Sequence, residues 1–252
     1  MSIWRYANPA AFMRLSGHVV APLWWLAGAM LAVGLVWSLS APPDYQQGST
    51  VLILFIHVPA ALLAINTYFL MAVASAIGLV RRHHVSFLVA KAAAPIGAAF
   101  TAVALVTGAV WGQPMWGTWW VWDARLTAVL IMFFFYLGYM ALWAAIDDPD
   151  KAADLTAVLC LTGVVFSVLA RYAVVFWATL HQGASLSVAE GQRVDDAYRD
   201  PLYFMMAAFY VLFLALLLTR TRTEIRRRRA RALRTRALAE GPAPATAEGA
   251  PA

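Results

Sequence analysis

Six stretches of this chain are almost unbroken runs of apolar residues, at roughly 20–39, 51–80, 86–110, 126–146, 155–178 and 201–219. A helix needs about 20 such residues to cross the hydrocarbon core of a bilayer. The breaks between the runs carry turn chemistry: Ala41-Pro42-Pro43-Asp44, Arg81-Arg82-His83-His84, Gly112-Gln113-Pro114, Asp147-Asp148-Pro149-Asp150 and Arg199-Asp200-Pro201. The pattern predicts an all-α integral membrane protein with six transmembrane helices over residues 1–219 and a separate tail over 220–252. An even number of crossings places both termini on one side.

Composition changes the picture only by removing alternatives. Of the 252 residues, 62% are apolar and 13% charged, with a mean hydropathy of +0.68. Soluble domains run near 45–50% apolar and about 25% charged, so the solvent for this surface is lipid. The +6 net charge resembles a nucleic-acid signal until it is located: nine of the 19 basic residues lie between Arg220 and Arg236. No nucleic-acid partner is expected. Arg5, Arg14, Arg81, Arg82, Lys151 and those nine arginines fall on the terminal side, and Arg125, Arg193 and Arg199 opposite. The positive-inside rule then makes both termini cytoplasmic. The first run is long for a signal peptide and reads as an uncleaved anchor.

The tail lacks the aromatic and branched residues needed to fold alone and reads as a topology signal with a disordered end; contact with anionic membrane lipid is its other use. The single Cys160 excludes a disulfide framework and reads as packing, and there is no C-x-x-C-H. Phosphate-loop, H-E-x-x-H and G-x-S-x-G motifs are absent. Carboxylates are scarce within the runs, which argues against a proton-coupled pump.

The unusual residues lie between the third and fourth runs. Five of eleven tryptophans, Trp111, Trp116, Trp119, Trp120 and Trp122, fall within twelve positions. An interfacial aromatic belt needs one or two per helix end. Gly112, Pro114 and Gly117 are expected to stop the third helix, and a short helical turn from Trp116 would bring Trp119 and Trp120 to one face. Such a platform suits a large planar ligand. Asp123 is placed to cap the fourth helix. Arg125 can either fork onto a ligand carboxylate or pair with Asp123.

Two of the five histidines sit at the level of that loop: His57 in Phe55-Ile56-His57-Val58-Pro59, and His181 in Leu180-His181-Gln182-Gly183. Ionisable residues at membrane depth are functional candidates, and two neutral imidazoles facing one cavity are the usual axial ligands of a low-spin haem iron. Pro59 releases the Phe55 carbonyl from its helical bond, leaving room to orient the His57 ring. Arg171, inside the fifth run, either snorkels or reaches Asp123 or a ligand carboxylate. Lys91 near the start of the third run is expected to snorkel.

The run Trp111-Gly-Gln-Pro-Met-Trp-Gly-Thr-Trp-Trp-Val-Trp-Asp-Ala-Arg-Leu-Thr127 resembles the tryptophan-rich signature of the haem-handling proteins of cytochrome c maturation. In this fuller form it resembles the cytochrome c maturation protein C (CcmC) family. The six spans, His57-Val58-Pro59 and Leu180 to Gly183 extend the resemblance to residue 219; neither 184–200 nor the arginine-rich tail carries a family motif. The resemblance implies a carrier, not an enzyme, in the bacterial inner membrane. It would take haem b at the outer face between His57 and His181, under Trp111, Trp116, Trp119, Trp120, Trp122, Asp123 and Arg125. It would load a haem chaperone, maturation protein E, and work beside an ATPase (maturation protein A) and two further membrane proteins, maturation proteins B and D. Two rivals remain from the residues themselves: an electron-transfer membrane cytochrome of the b type, and a cofactor-free scaffold whose tryptophan loop docks a partner.

Overall fold

The computed structural model describes residues 8–177, 179, 181, 186–187, 191–192 and 194–240. Six helices in it are long and apolar enough to cross a membrane: α1 (Pro9–Leu39), α2 (Leu54–Arg81), α3 (His84–Trp116), α4 (Ala124–Ala145), α5 (Pro149–Phe176) and α6 (Asp196–Glu240). The only other regular elements among the described residues are a short 3-10 helix, Ser49–Ile53, that feeds α2, and an antiparallel pair of two-residue strands, β1 (Leu186–Ser187) and β2 (Gly191–Gln192).

The helix starts follow local chemistry. Asn8 accepts from the Ala10 N–H at 2.8 Å ahead of Pro9. Asp148 accepts from Asp150 at 2.8 Å and Lys151 at 3.0 Å ahead of Pro149. Those N–H donors, Lys151 first, hold the Asp148 carboxyl below the usual carboxylate range. Proline at the first helical position costs nothing, because its missing N–H would have had no partner there.

Two expected boundaries are corrected. Gly112 and Pro114 do not stop the third helix; α3 runs on to Trp116 and ends at Gly117, whose φ of +73° is the left-handed conformation that closes a helix. A membrane helix tolerates an internal proline because neighbouring groups take up the freed carbonyl. The tail is not unstructured from 220 onward: α6 continues to Glu240, and residues 241–252 lie outside the described residues.

Helices α2 and α3 form the centre. They lie along one another, α4 packs on α5 and α3, α5 on α2, and α6 on α2 and α3, while α1 leans chiefly on α6. Small residues fill the centre: Ala90, Ala92, Ala93, Ala94, Ala98 and Ala104 of α3 and Ala60, Ala64 and Ala72 of α2 are buried. Short side chains let backbones approach, the main source of adhesion between helices in lipid. Tyr136 of α4, fully buried, donates its hydroxyl to the Ala64 carbonyl at 2.8 Å and ties the second layer to the first. The large apolar side chains left exposed, such as Trp25, Val36 and Leu39 of α1, are an ordinary surface when the solvent is hydrocarbon.

The first third of the α6 extension is held by charge. Arg220 donates to the Ala92 carbonyl at 3.2 Å, and Arg222 to the Met13 carbonyl at 2.6 Å and Ser16 Oγ at 2.8 Å. Glu224, only 5% exposed, bonds Lys91 Nζ at 3.0 Å and Arg227 at 2.9 Å. Lys91 therefore does not simply snorkel; it also lies 4.4 Å from the Trp143 ring centroid. Arg228 reaches Asp150 at 2.7 Å. The disorder expectation counted missing apolar residues and not these donors, which find carbonyls and carboxylates on α1, α3 and α5.

Glu224→Leu leaves Lys91 without its buried counter-charge and is expected to cost about 1.5–3 kcal/mol, the range for hydrogen bonds to charged groups. Thermal unfolding in detergent should show a lowered midpoint, and adding Lys91→Met should recover part of the loss, because a pair replaced together leaves no stranded charge.

Candidate functional site

A cavity of about 290 Å³ opens where the N-terminal end of α2 meets the C-terminal end of α3. Its walls are His57, Ala61, Ala64 and Ile65 of α2; Ala104, Leu105, Gly108, Ala109, Trp111, Gly112, Met115 and Trp116 of α3; and Arg125, Leu126 and Val129 of α4. Gln47, Trp120 and His181 complete it from three connecting segments. The small residues that bring α2 and α3 together thus also leave the space.

Both candidate histidines line this cavity, from different parts of the chain. His57 is held by α3: its Nδ1 lies 3.0 Å from Thr107 Oγ1, and its ring meets Trp111 edge to face with centroids 5.7 Å apart. Thr107, with the Ala104 backbone beside it, supplies the polar contact that orients the ring. A methyl group added at Gly108 would stand 3.0 Å from His57 Cε1, so glycine there makes room for the imidazole. His181 follows α5 by five residues, and its ring lies 6.3 Å from that of Trp116. Thr179 donates to the His181 carbonyl at 3.0 Å and shapes that turn. Leu180, Gln182 and Gly183 lie outside the described residues.

The five tryptophans do not form one platform. The expected helical turn from Trp116 is absent: residues 117–119 bend and 120–123 form no regular element, because Gly117 terminates the helix and Thr118 Oγ1 donates to the Trp120 carbonyl at 3.1 Å. Trp111, Trp116 and Trp120 line the cavity. Trp119 and Trp122 are 60% and 78% exposed and do not, although Trp122 packs edge to face on Trp120 at 5.6 Å. Asp123 caps α4, accepting from the Leu126 N–H at 2.7 Å, and its other oxygen has no partner. Asp123 thus makes no hydrogen bond to Arg125, which lines the cavity with the charges of Asp123 and Arg171 close to it. Arg171 is exposed on α5, its guanidinium 5.5 Å from the Tyr172 ring centroid, and does not line the cavity.

Residues that sequence reasoning missed are Gln47, Thr107 and Gly108. Gln47 Oε1 accepts from Trp111 Nε1 at 2.8 Å, held by a tight turn in which Asp44 accepts from the Gln46 and Gln47 N–H groups. Nothing local in the sequence marks it. Thr107 stands one turn before Trp111 on α3, so helical spacing back from the tryptophan would have found it.

The donor set fits a planar metallo-ligand better than a bare ion. Among the described residues no three His, Cys, Asp or Glu gather where a metal ion could be held. A ligand that brings its own four equatorial donors needs two imidazoles and no more. The walls are apolar, the buried Trp120 Nε1 lacks a partner, and Arg125 supplies one positive charge at the border.

The chain is similar to known proteins over most of its length. A family model described as Heme exporter protein C matches residues 2–236. The chain is 64% identical over 220 residues to Heme exporter protein C of Paracoccus denitrificans, covering 86% of this chain and 90% of that protein. It is 58% identical over 221 residues to the protein of the same description in Rhodobacter capsulatus, with 86% and 90% covered. To that of Escherichia coli K12 it is 48% identical over 215 residues, with 84% and 85% covered.

Gly108→Ala should separate binding from stability. Alanine is favoured over glycine in a helix by roughly 1 kcal/mol, so the melting temperature is expected not to fall. The new methyl group should displace the His57 ring, and titration with haem followed by absorbance should show severalfold weaker binding.

Proposed function

The chain belongs to the haem exporter protein C family, and on that premise we propose that its cavity holds haem b for hand-over during cytochrome c maturation. The supporting observation is that His57 and His181, distant in sequence, line one apolar cavity with three tryptophans and Arg125. The family name supports haem as cargo. When bound, haem brings an iron with two axial positions, and the two imidazoles are the residues to fill them.

The other residues have separable tasks. Trp111, Trp116 and Trp120 offer ring faces and edges to a flat macrocycle and keep water from the iron. Arg125 neutralises a propionate, a charge-assisted bond worth about 1.5–3 kcal/mol. Trp119, Trp122 and Asp123 belong to the same loop but serve differently: Asp123 caps α4, and the two exposed rings offer apolar surface to a partner. The haem chaperone, maturation protein E, is the partner this surface suits. Arg171 does not line the cavity, although its charge lies near that of Arg125, and it is assigned to the membrane interface.

The protein is a carrier with no turnover of its own, acting beside the ATPase (maturation protein A) and the membrane-bound maturation proteins B and D. Its membrane is the bacterial inner membrane, with both termini cytoplasmic and the cavity on the periplasmic side. The arginines of the α6 extension, which lie at the opposite end of α3 from the cavity, support that orientation.

Two measurements test this reading. Purified protein with haem should give a six-coordinate, low-spin spectrum; His57→Ala or His181→Ala should convert it to a five-coordinate or weak-field form, partly restored by imidazole, and lower chaperone loading. Unchanged spectra and normal loading in both variants would reject the axial pair. Separately, reporter fusions at Tyr45 and Gln113 should report the periplasm, and fusions at His83 and Pro149 the cytoplasm; a reversed pattern overturns the orientation.

A further inference from the structure

The hydroxyl of Thr107 has one proton to give, and the structure shows where it goes. Thr107 Oγ1 lies 2.6 Å from the Val103 carbonyl oxygen, one turn back on α3, and 3.4 Å from that of Ala104. A carbonyl oxygen only accepts, so the 2.6 Å contact is a donation from the threonine. The same oxygen lies 3.0 Å from His57 Nδ1. With its proton committed to Val103, it can only accept there, and Nδ1 must carry the hydrogen.

A neutral imidazole has one N–H and one lone pair. A proton on Nδ1 leaves the lone pair on Nε2. The opposite tautomer is disfavoured, because it would take the threonine proton from Val103, where the 2.6 Å contact holds it. The Gly108 approach to Cε1 limits rotation of the ring away from this arrangement.

We infer that Thr107 is a positioning residue that fixes His57 in the Nδ1–H tautomer and so presents Nε2, with its lone pair, to the iron of the bound haem. This deepens the proposed function and rests on it for the iron, but the tautomer is a property of the protein alone. Partners of this kind, behind a ligating histidine, hold the ring and raise its basicity. A more basic axial ligand favours ferric over ferrous iron.

The test uses Thr107→Val, which keeps the shape and removes the hydroxyl, and Thr107→Ser, which restores it. In haem-free protein labelled with ¹⁵N-histidine, His57 should show the Nδ1–H pattern in the wild type and the serine variant, and a mixture in the valine variant. With haem, Thr107→Val should bind about tenfold more weakly, the low end of the 10–100-fold cost of losing such a partner. Its midpoint potential should shift upward, and Thr107→Ser should restore both. An Nε2–H pattern in the wild type overturns the proposal whether or not any variant folds. So does a valine variant with unchanged affinity and potential, or a serine variant as impaired as valine, which would mark Thr107 as packing. If His57→Ala leaves the low-spin spectrum intact, the axial reading fails instead, and the haem-free measurement still decides the tautomer.

Discussion

Lipid gives helices no hydrophobic reason to adhere, so close approach must come from shape. In this protein that constraint falls on α2 and α3. Their alanine-lined contact sets how near the two backbones lie, and Gly108, Thr107 and His57 work only at that separation. A larger residue in the shared surface would part the helices and carry Thr107 out of reach of Nδ1. The tyrosine hydroxyl of α4 on the Ala64 carbonyl and the α5 contact with α2 brace the same pair from outside. Adhesion and binding geometry are therefore one property of this bundle.

The six helices were legible in the sequence because hydrocarbon demands long uninterrupted runs, and nothing else in the chain imitates them. His57, His181 and the tryptophan loop were legible for the complementary reason: an ionisable or aromatic-dense segment at membrane depth has no bland explanation. Reading failed where the deciding partner is remote. Pro114 looks like a helix breaker in isolation, yet α3 passes through it and the left-handed Gly117 ends the helix. Arg220, Arg222 and Glu224 look like a solvated tail until α1 and α3 supply carbonyls and Lys91. Gln47 has no local signal at all, since only the tertiary fold brings Trp111 to it.

The tryptophan loop shows how one motif divides its labour. Neighbours in sequence divide between the cavity and the outside: Trp120 inward, Trp119 and Trp122 outward, Asp123 committed to a helix N–H. With Gly117 ending the helix, no helical face gathers the rings, so a density of tryptophan that looks like one surface becomes two. The inner surface suits a planar guest, and the outer one gives apolar area beside the cavity.

The bond between Trp111 and Gln47 bears on time. A single neutral hydrogen bond contributes only about 1 kcal/mol, not far above thermal energy, and loop segments move on nanosecond to microsecond scales. On the proposed reading, two imidazole–iron bonds would hold a guest far longer than one such hydrogen bond, so the Trp111–Gln47 contact would close the cavity without setting the guest's dwell.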